Sequence, residues 1–267
     1  MNILIVIQAR CGSTRLPGKV MLPLAGDTVL GRMIERVRRS SYGSELVIAT
    51  TIYPEDAMIE SFCRYEGVRC FRGHPADLLD RHYMAGLRYG ADAVVKIPSD
   101  CPLIDPSVID RVIDVYATGH NDFDYVSNLH PASYPDGNDV EVMSMRVLET
   151  AWHEASRPLE REHTTPFIWD NPERFRIGNV LWERGLDYSM THRWVLDYTE
   201  DYEFISAVYQ ELYPVNPLFS IEDILNLVEK RPELQELNRQ HVGKSWHCNH
   251  LNDLKTLKTA RIETCLI

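Results

Sequence analysis

What most constrains this chain is a rhythm: strand-sized apolar runs at 3–8, 46–51, 68–72 and 93–97 alternate with amphipathic stretches near 28–40, 55–66, 75–89 and 106–118. The runs are rich in Val and Ile and alternate only weakly with polar residues, the pattern of strands buried on both faces. Pro54-Glu55-Asp56 and Asp105-Pro106-Ser107 open the second and fourth amphipathic stretches as sound helix starts. Strand and helix in turn predict an α/β fold with a mostly parallel central sheet flanked by helices. Such a sheet binds ligands beyond the carboxyl ends of its strands.

After residue 120 the rhythm loosens. Further strands are expected at 125–128, 139–144, 175–182 and 193–196, with helices near 145–155, 159–171 and 200–212. The run Tyr134-Pro135-Asp136-Gly137-Asn138 reads as a tight loop. No linker, repeat or low-complexity stretch interrupts the chain, so 1–214 reads as one domain with a small added subregion and 215–267 as a C-terminal helical appendage and tail.

The loop after the first run is the richest in chemistry. Between Gln8 and Lys19 it holds three cations (Arg10, Arg15, Lys19), two hydroxyls (Ser13, Thr14) and two glycines (Gly12, Gly18), with Ala9 at its start. Glycines let backbone N–H groups approach a phosphate, Arg supplies a planar fork and Lys a point charge, so the segment reads as a polyanion cradle. It is not a Walker loop: five residues separate Gly12 from Gly18-Lys19, and Val20 stands where that motif needs Ser or Thr.

Charge agrees with a small anion as the ligand. The chain has 28 Lys and Arg against 39 Asp and Glu, a net −11, which argues against a long nucleic acid. Its first 39 residues nevertheless carry +5 and the other 228 carry −16. Arg32, Arg36, Arg38 and Arg39 are expected to form a solvated helix face. The apolar run 3–7 is only five residues, too short for a membrane span, and a cytoplasmic location is the expectation. The six cysteines show no paired spacing and read as reduced thiols, while the crowded His241, His247, Cys248 and His250 match no zinc pattern.

Two carboxylates stand where strands end. Asp100 follows the run 93–97 and precedes Cys101-Pro102 instead of a helix; Asp197 follows Trp194-Val195-Leu196. Either could be a turn former, and either could hold a metal ion. Asp136, Asp139 and Glu141 at and after the tight loop, with Arg161 and His163 further on, could line a pocket for a hydroxylated ligand, with turn and helix-surface roles as the alternative.

Taken together, the segment Gln8–Lys19, Ile48-Ala49-Thr50-Thr51, Phe71-Arg72-Gly73, Asp77-Leu78-Leu79-Asp80-Arg81, Ser99-Asp100-Cys101-Pro102-Leu103-Ile104, Tyr134-Pro135-Asp136-Gly137 and Arg161-Glu162-His163 resemble the cytidylyltransferase family over residues 2–212. Within it, the likeness is to the spore coat polysaccharide biosynthesis protein F branch, related to the enzymes that make CMP-Kdo and CMP-sialic acids. The resemblance implies a Rossmann-like nucleotidyltransferase fold and Mg²⁺-dependent transfer of CMP from CTP to a sugar or sugar acid, in surface polysaccharide or glycoconjugate synthesis. It also implies a homodimer. On it, Arg10, Arg15 and Lys19 act on the triphosphate, and Ala9, Gly12, Ser13, Thr14, Ala49, Thr50, Thr51, Arg72, Gly73 and Asp80 bind nucleotide. Asp100 and Asp197 match the metal-binding aspartates, and Asp136, Asp139, Glu141, Arg161 and His163 are left for the acceptor. Pro98-Ser99 and Thr199 depart from the family's usual Thr-Gly before the first aspartate and Pro after the second. Two other readings stay open: transfer from another nucleoside triphosphate to a sugar 1-phosphate, and a nucleotide-binding regulator without transfer activity.

Overall fold

The computed structural model describes residues 1–119, 122–244 and 254. Its centre is a seven-stranded sheet. Strand β1 (Ile3–Gln8) lies inside the sheet and pairs in parallel with β4 (Leu46–Thr51) and β6 (Ala93–Pro98), while β5 (Arg69–Gly73) extends the parallel half beyond β4. On the other side β8 (Glu141–Ser144) runs antiparallel to β6 and to β7 (Tyr125–Ser127), and β9 (Ile177–Asn179) closes the edge parallel to β7. The strand order is β5-β4-β1-β6-β8-β7-β9; a separate two-stranded ribbon joins β2 (Pro23–Leu24) to β3 (Asp27–Thr28).

Burial on both faces explains the weak alternation in the sequence. Ile3, Ile5 and Ile7 of β1 belong to one core cluster, with α1 (Val29–Val37) and α4 (Pro106–Thr118), whereas Leu4 and Val6 point into the other, with α3 (Leu78–Arg88) and α5 (Met145–Glu154). Helix α2 (Ala57–Tyr65) also packs on the first face through Ile59 and Cys63. Strands β1, β4 and β6 therefore bury nearly every side chain, the edge strand β5 is half-buried, and the parallel half forms the predicted α/β layering. Local chemistry sets the helix starts: the side chains of Thr28, Asp77, Asp105 and Ser144 accept hydrogen bonds from the first turns of α1, α3, α4 and α5.

Several expectations need correction. Residues 193–196 form no strand but an extended strap that touches two different segments, so no ladder can develop: Trp194 N donates to Asp136 O at 2.7 Å and Leu196 N to Asp100 O at 2.7 Å. The expected helix 159–171 is two short ones, α6 (Pro158–His163) and α7 (Pro166–Trp169), because Pro166 lacks the N–H that would continue the first and Thr164 takes φ 73°. Arg36 is not solvated. It is 2% exposed, donates to the carbonyls of Ile104 and Phe219 at 2.6 and 2.9 Å, and lies over the Phe219 ring. Arg32 is half-buried between Asp27 and Glu35.

Helix α8 (Thr199–Leu212) precedes the C-terminal helices α9 (Ile221–Lys230) and α10 (Glu233–Glu236). These pack against the first core cluster through Phe219, Ile221, Ile224, Val228 and Leu234. Aromatic side chains between 167 and 194, including Phe167, Trp169, Phe175, Trp182 and Trp194, are buried. Among the described residues, no helix is long and apolar enough to cross a membrane, and Cys11, Cys63, Cys70 and Cys101 are free thiols. His247, Cys248, His250 and Cys265 lie outside the described residues.

Candidate active site

The carboxyl ends of β1, β4, β5 and β6 converge on one edge of the sheet, and the cation-rich loop leaves β1 there. Cys11 O closes the loop on itself by accepting from Ser13 N and Gly18 N, each at 2.9 Å. Gly18 makes this possible with φ 68°, a left-handed conformation that glycine enters without steric cost. Asp56, almost fully buried, fixes the loop to its neighbour: it accepts from Cys11 N at 2.7 Å and from the Thr51 hydroxyl. The sequence reading missed Asp56, whose Pro-Glu-Asp context reads only as a helix start.

Lys19 is the centre of the site. Its ammonium, 9% exposed as a residue, lies 3.1 Å from Asp100 Oδ2, 3.0 Å from Asp197 Oδ1 and 2.7 Å from Leu196 O. Arg15 Nη2 reaches the same Asp197 oxygen at 2.6 Å. Burial would push the Lys19 pKa down, but Asp100 and Asp197 outweigh it and hold the ammonium above its usual range. Burial likewise pushes Asp197 up, and the charges of Lys19, Arg15 and Arg193 reverse this and hold it ionised.

Two carboxylate oxygens, from residues 97 positions apart in the chain, thus converge on one cation. That donor set suits Mg²⁺, which takes one or two protein carboxylates and fills its remaining positions with water or phosphate oxygens. Among the described residues no group of three or more His, Cys, Asp or Glu side chains is arranged for a metal, so a metal held here would be shared with its ligand.

The remaining predicted residues divide into two groups. Arg10 is exposed at the mouth of the loop, close enough to Arg81 for its charge to add to burial in bringing the Arg81 pKa down to about 10. Ser13 caps Leu16 N at 3.3 Å, while Gly12 and Thr14 are exposed on the outside of the loop. Ala9 N bonds Ala49 O at 3.0 Å, and the Thr50 hydroxyl is buried with no partner among the described residues. Asp136 and Asp139 lie half-buried beside the strap. Burial pushes both upward, helped at Asp136 by the charge of Asp139 and at Asp139, raised to about 7, by those of Asp100 and Glu141.

Other candidates have their charges met internally. Arg72 laces the loop after β4 by donating to Thr51 O at 3.0 Å, Tyr53 O at 2.8 Å and Glu60 at 3.1 Å, next to Gly73 at the strand's end. Asp80 accepts from the Trp152 indole at 2.9 Å. Arg81, next to it, is 1% exposed and donates to the carbonyls of His74 and Pro75. Glu141 is 2% exposed and binds the Lys96 ammonium and the Tyr125 hydroxyl. Arg161 pairs with Asp77, and His163 is half-buried two residues further on.

Sequence reasoning also missed Arg193. It is 3% exposed, forks onto Asp201 at 2.8 and 2.9 Å, and faces Asp197 Oδ2 at 3.5 Å and Asp136 Oδ2 at 3.6 Å. The signal that could have found it is the four-residue spacing Arg193, Asp197, Asp201.

With this geometry in place, comparison with known proteins is informative. Residues 4–216 match the family model described as cytidylyltransferase. The spore coat polysaccharide biosynthesis protein SpsF of Bacillus subtilis is 31% identical over 237 residues, covering 87% of this chain and 96% of SpsF. The solved structure of a cytidylyltransferase from Leptospira borgpetersenii superposes with a TM-score of 0.83 at 33% identity, over 88% of this chain and 96% of that one. A CMP:2-keto-3-deoxy-manno-octonic acid synthetase solved with CTP shares the fold at a TM-score of 0.60 and 18% identity, over 79% of this chain and all of its own. The chain belongs to the cytidylyltransferase family and is a nucleotidyltransferase.

Proposed function

We propose that this enzyme transfers CMP from CTP to a hydroxyl of a sugar acid or sugar derivative and releases pyrophosphate, with Mg²⁺ as cofactor, in the synthesis of a surface polysaccharide or glycoconjugate. We further propose that it works in the cytoplasm as a homodimer. The observation that carries the catalytic reading is the convergence of Asp100 Oδ2 and Asp197 Oδ1 on the Lys19 ammonium at the open edge of the sheet.

The chemistry follows from charge. The acceptor oxygen bonds to the α-phosphorus of CTP, the bond to the bridging oxygen of the β-phosphate breaks, and the hydroxyl proton leaves. Charge grows on the departing pyrophosphate, so preorganised cations aimed at its oxygens lower the barrier. Arg10 and Arg15 grip the triphosphate from the exposed side of the loop, and Lys19 moves from the carboxylates to a phosphate oxygen. Ala9, Gly12, Ser13 and Thr14 offer backbone and hydroxyl contacts to the phosphates. Mg²⁺ held by Asp100 and Asp197 would neutralise phosphate charge and orient the α-phosphate.

The cytosine lies against the ends of β4 and β5, where Ala49, Thr50, Thr51 and Gly73 present backbone and hydroxyl groups. There Arg72 and Asp80 hold the surrounding loops through their internal bonds. The acceptor enters past Asp136 and Asp139, with His163 at the far wall. Glu141 and Arg161 shape that wall, because both already have charged partners.

The test is pyrophosphate release with each of the four nucleoside triphosphates and Mg²⁺, against a panel of sugar acids and sugar 1-phosphates. Turnover with CTP and a sugar acid supports the proposal. Turnover of another triphosphate with a sugar 1-phosphate would replace it, and CTP binding without turnover on any acceptor, with Asp100 and Asp197 dispensable, would make the chain a regulator.

A further inference from the structure

Behind Asp197 lies a buried charge cluster of Arg193, Asp201 and Asn238. Asp201, fully buried, accepts through Oδ2 from the backbone N–H groups of Asp197 and Tyr198, both at 3.0 Å. Arg193 completes the grip by forking onto Asp201 while its Nη2 faces Asp197 Oδ2 at 3.5 Å. Asp197 is therefore held twice, at its main chain and at one carboxylate oxygen. Its other oxygen, Oδ1, is left to Lys19 and Arg15.

The cluster is closed from the C-terminal segment. Asn238, 2% exposed, lies just past α10 and donates from its side-chain amide to Arg193 O at 2.9 Å and to Asp201 Oδ1 at 3.1 Å. Both partners can only accept, so chemistry fixes which end of the amide faces them. Lys244 O, on the same segment, accepts from Arg193 Nη1 at 2.9 Å. These residues lie beyond 216, where the family match ends.

We propose that Asn238 is a positioning residue for Asp197, acting through Asp201 and Arg193, so that the C-terminal segment sets how well the site holds a divalent cation. The inference rests on the proposed role of Asp100 and Asp197 as the metal-holding pair. Its physical basis is what happens when a triphosphate arrives. Lys19 and Arg15 are drawn to phosphate, and Asp197 loses the two cations that fixed its Oδ1. Only the grip of Arg193 and Asp201 then keeps that oxygen aimed at the metal. Without Asn238, the buried Arg193 O and one lone pair of Asp201 lose their protein partner, and the pair is free to shift.

The experiment measures CTP binding by calorimetry in Mn²⁺ and again in EDTA. The ratio of the two dissociation constants is the coupling between metal and nucleotide. Asn238→Ala is expected to lower this ratio about tenfold while leaving CTP affinity in EDTA within about twofold of wild type, as for residues that orient a metal ligand. Asn238→Ser, which keeps one donor, should fall between the two. Leu234→Ala, which removes core packing in the same segment, should lower Tm and leave the ratio unchanged.

An unchanged ratio in Asn238→Ala overturns the proposal, and so does a Leu234→Ala ratio that falls as far. If neither Asn238 variant folds while Leu234→Ala does, Asn238 is structural and the proposal is wrong. Asp197→Asn separates the two levels. If it retains the wild-type ratio, the metal assignment itself fails; if it lowers the ratio while Asn238→Ala leaves it unchanged, only the positioning role fails.

Discussion

The Lys19 ammonium lies 3.0 Å from Oδ1 of Asp197, a residue 178 positions further along the chain. This lysine satisfies the two carboxylates, and on the proposed mechanism its charge passes to the phosphates once nucleotide binds. Lys19→Met should lower kcat/KM for CTP by roughly a hundredfold to a thousandfold, the cost of removing a preorganised charge from the transition state. It also leaves Asp100 and Asp197 without their shared cation. The variant should therefore gain a larger rise in Tm on adding Mg²⁺ than the wild type does, as differential scanning calorimetry would show; an equal rise would mean that lysine and metal do not share the carboxylates.

Arg10 offers a cleaner separation of binding from stability. It is exposed, and among the described residues it makes no ion pair, so the fold does not depend on it. Arg10→Ala should raise KM for CTP about tenfold or more, as loss of a charged phosphate contact does, with Tm unchanged. A fall in Tm with KM unaltered would show that the residue serves the loop and not the nucleotide.

How much of this was legible in the sequence depends on the range of each interaction. The parallel strands announced themselves because burial on both faces selects Val and Ile run by run, and the cation-rich loop because its cations and glycines are neighbours in sequence. Arg36 was misread, since its place inside or outside is decided by Phe219, which the helix pattern cannot see. Residues 193–196 were read as a strand from local apolarity, although their partners are the separate segments at Asp100 and Asp136. Asn238 was invisible for the same reason: its partnership with Arg193 spans 45 residues.

The pairing of Glu141 with Lys96 predicts acid sensitivity. Burial alone would raise the Glu141 pKa, but the Lys96 charge and hydrogen bonds from Lys96, Thr165 and Tyr125 bring it down to about 2 from the ordinary 4.5. A folded pKa below the unfolded one contributes stability that is complete above pH 4.5 and is lost as pH falls towards 2. The full contribution corresponds to roughly 3 kcal/mol. Buried His82, pulled down to about 3 chiefly by burial, adds a second loss that begins below pH 6.5. Urea unfolding from pH 7 to pH 3 should therefore show steep destabilisation, and Glu141→Gln should flatten the part below pH 4.5; a variant profile parallel to wild type would contradict this account.

The central claim is that Asp100 and Asp197 hold the divalent cation for nucleotidyl transfer, and the most direct measurement is pyrophosphate release from CTP at saturating Mg²⁺ by Asp100→Asn and Asp197→Asn. Each variant should be folded, and each should be slower than wild type by roughly a thousandfold or more, because the interaction removed acts mainly in the transition state. Turnover of either variant close to the wild-type rate would contradict the account.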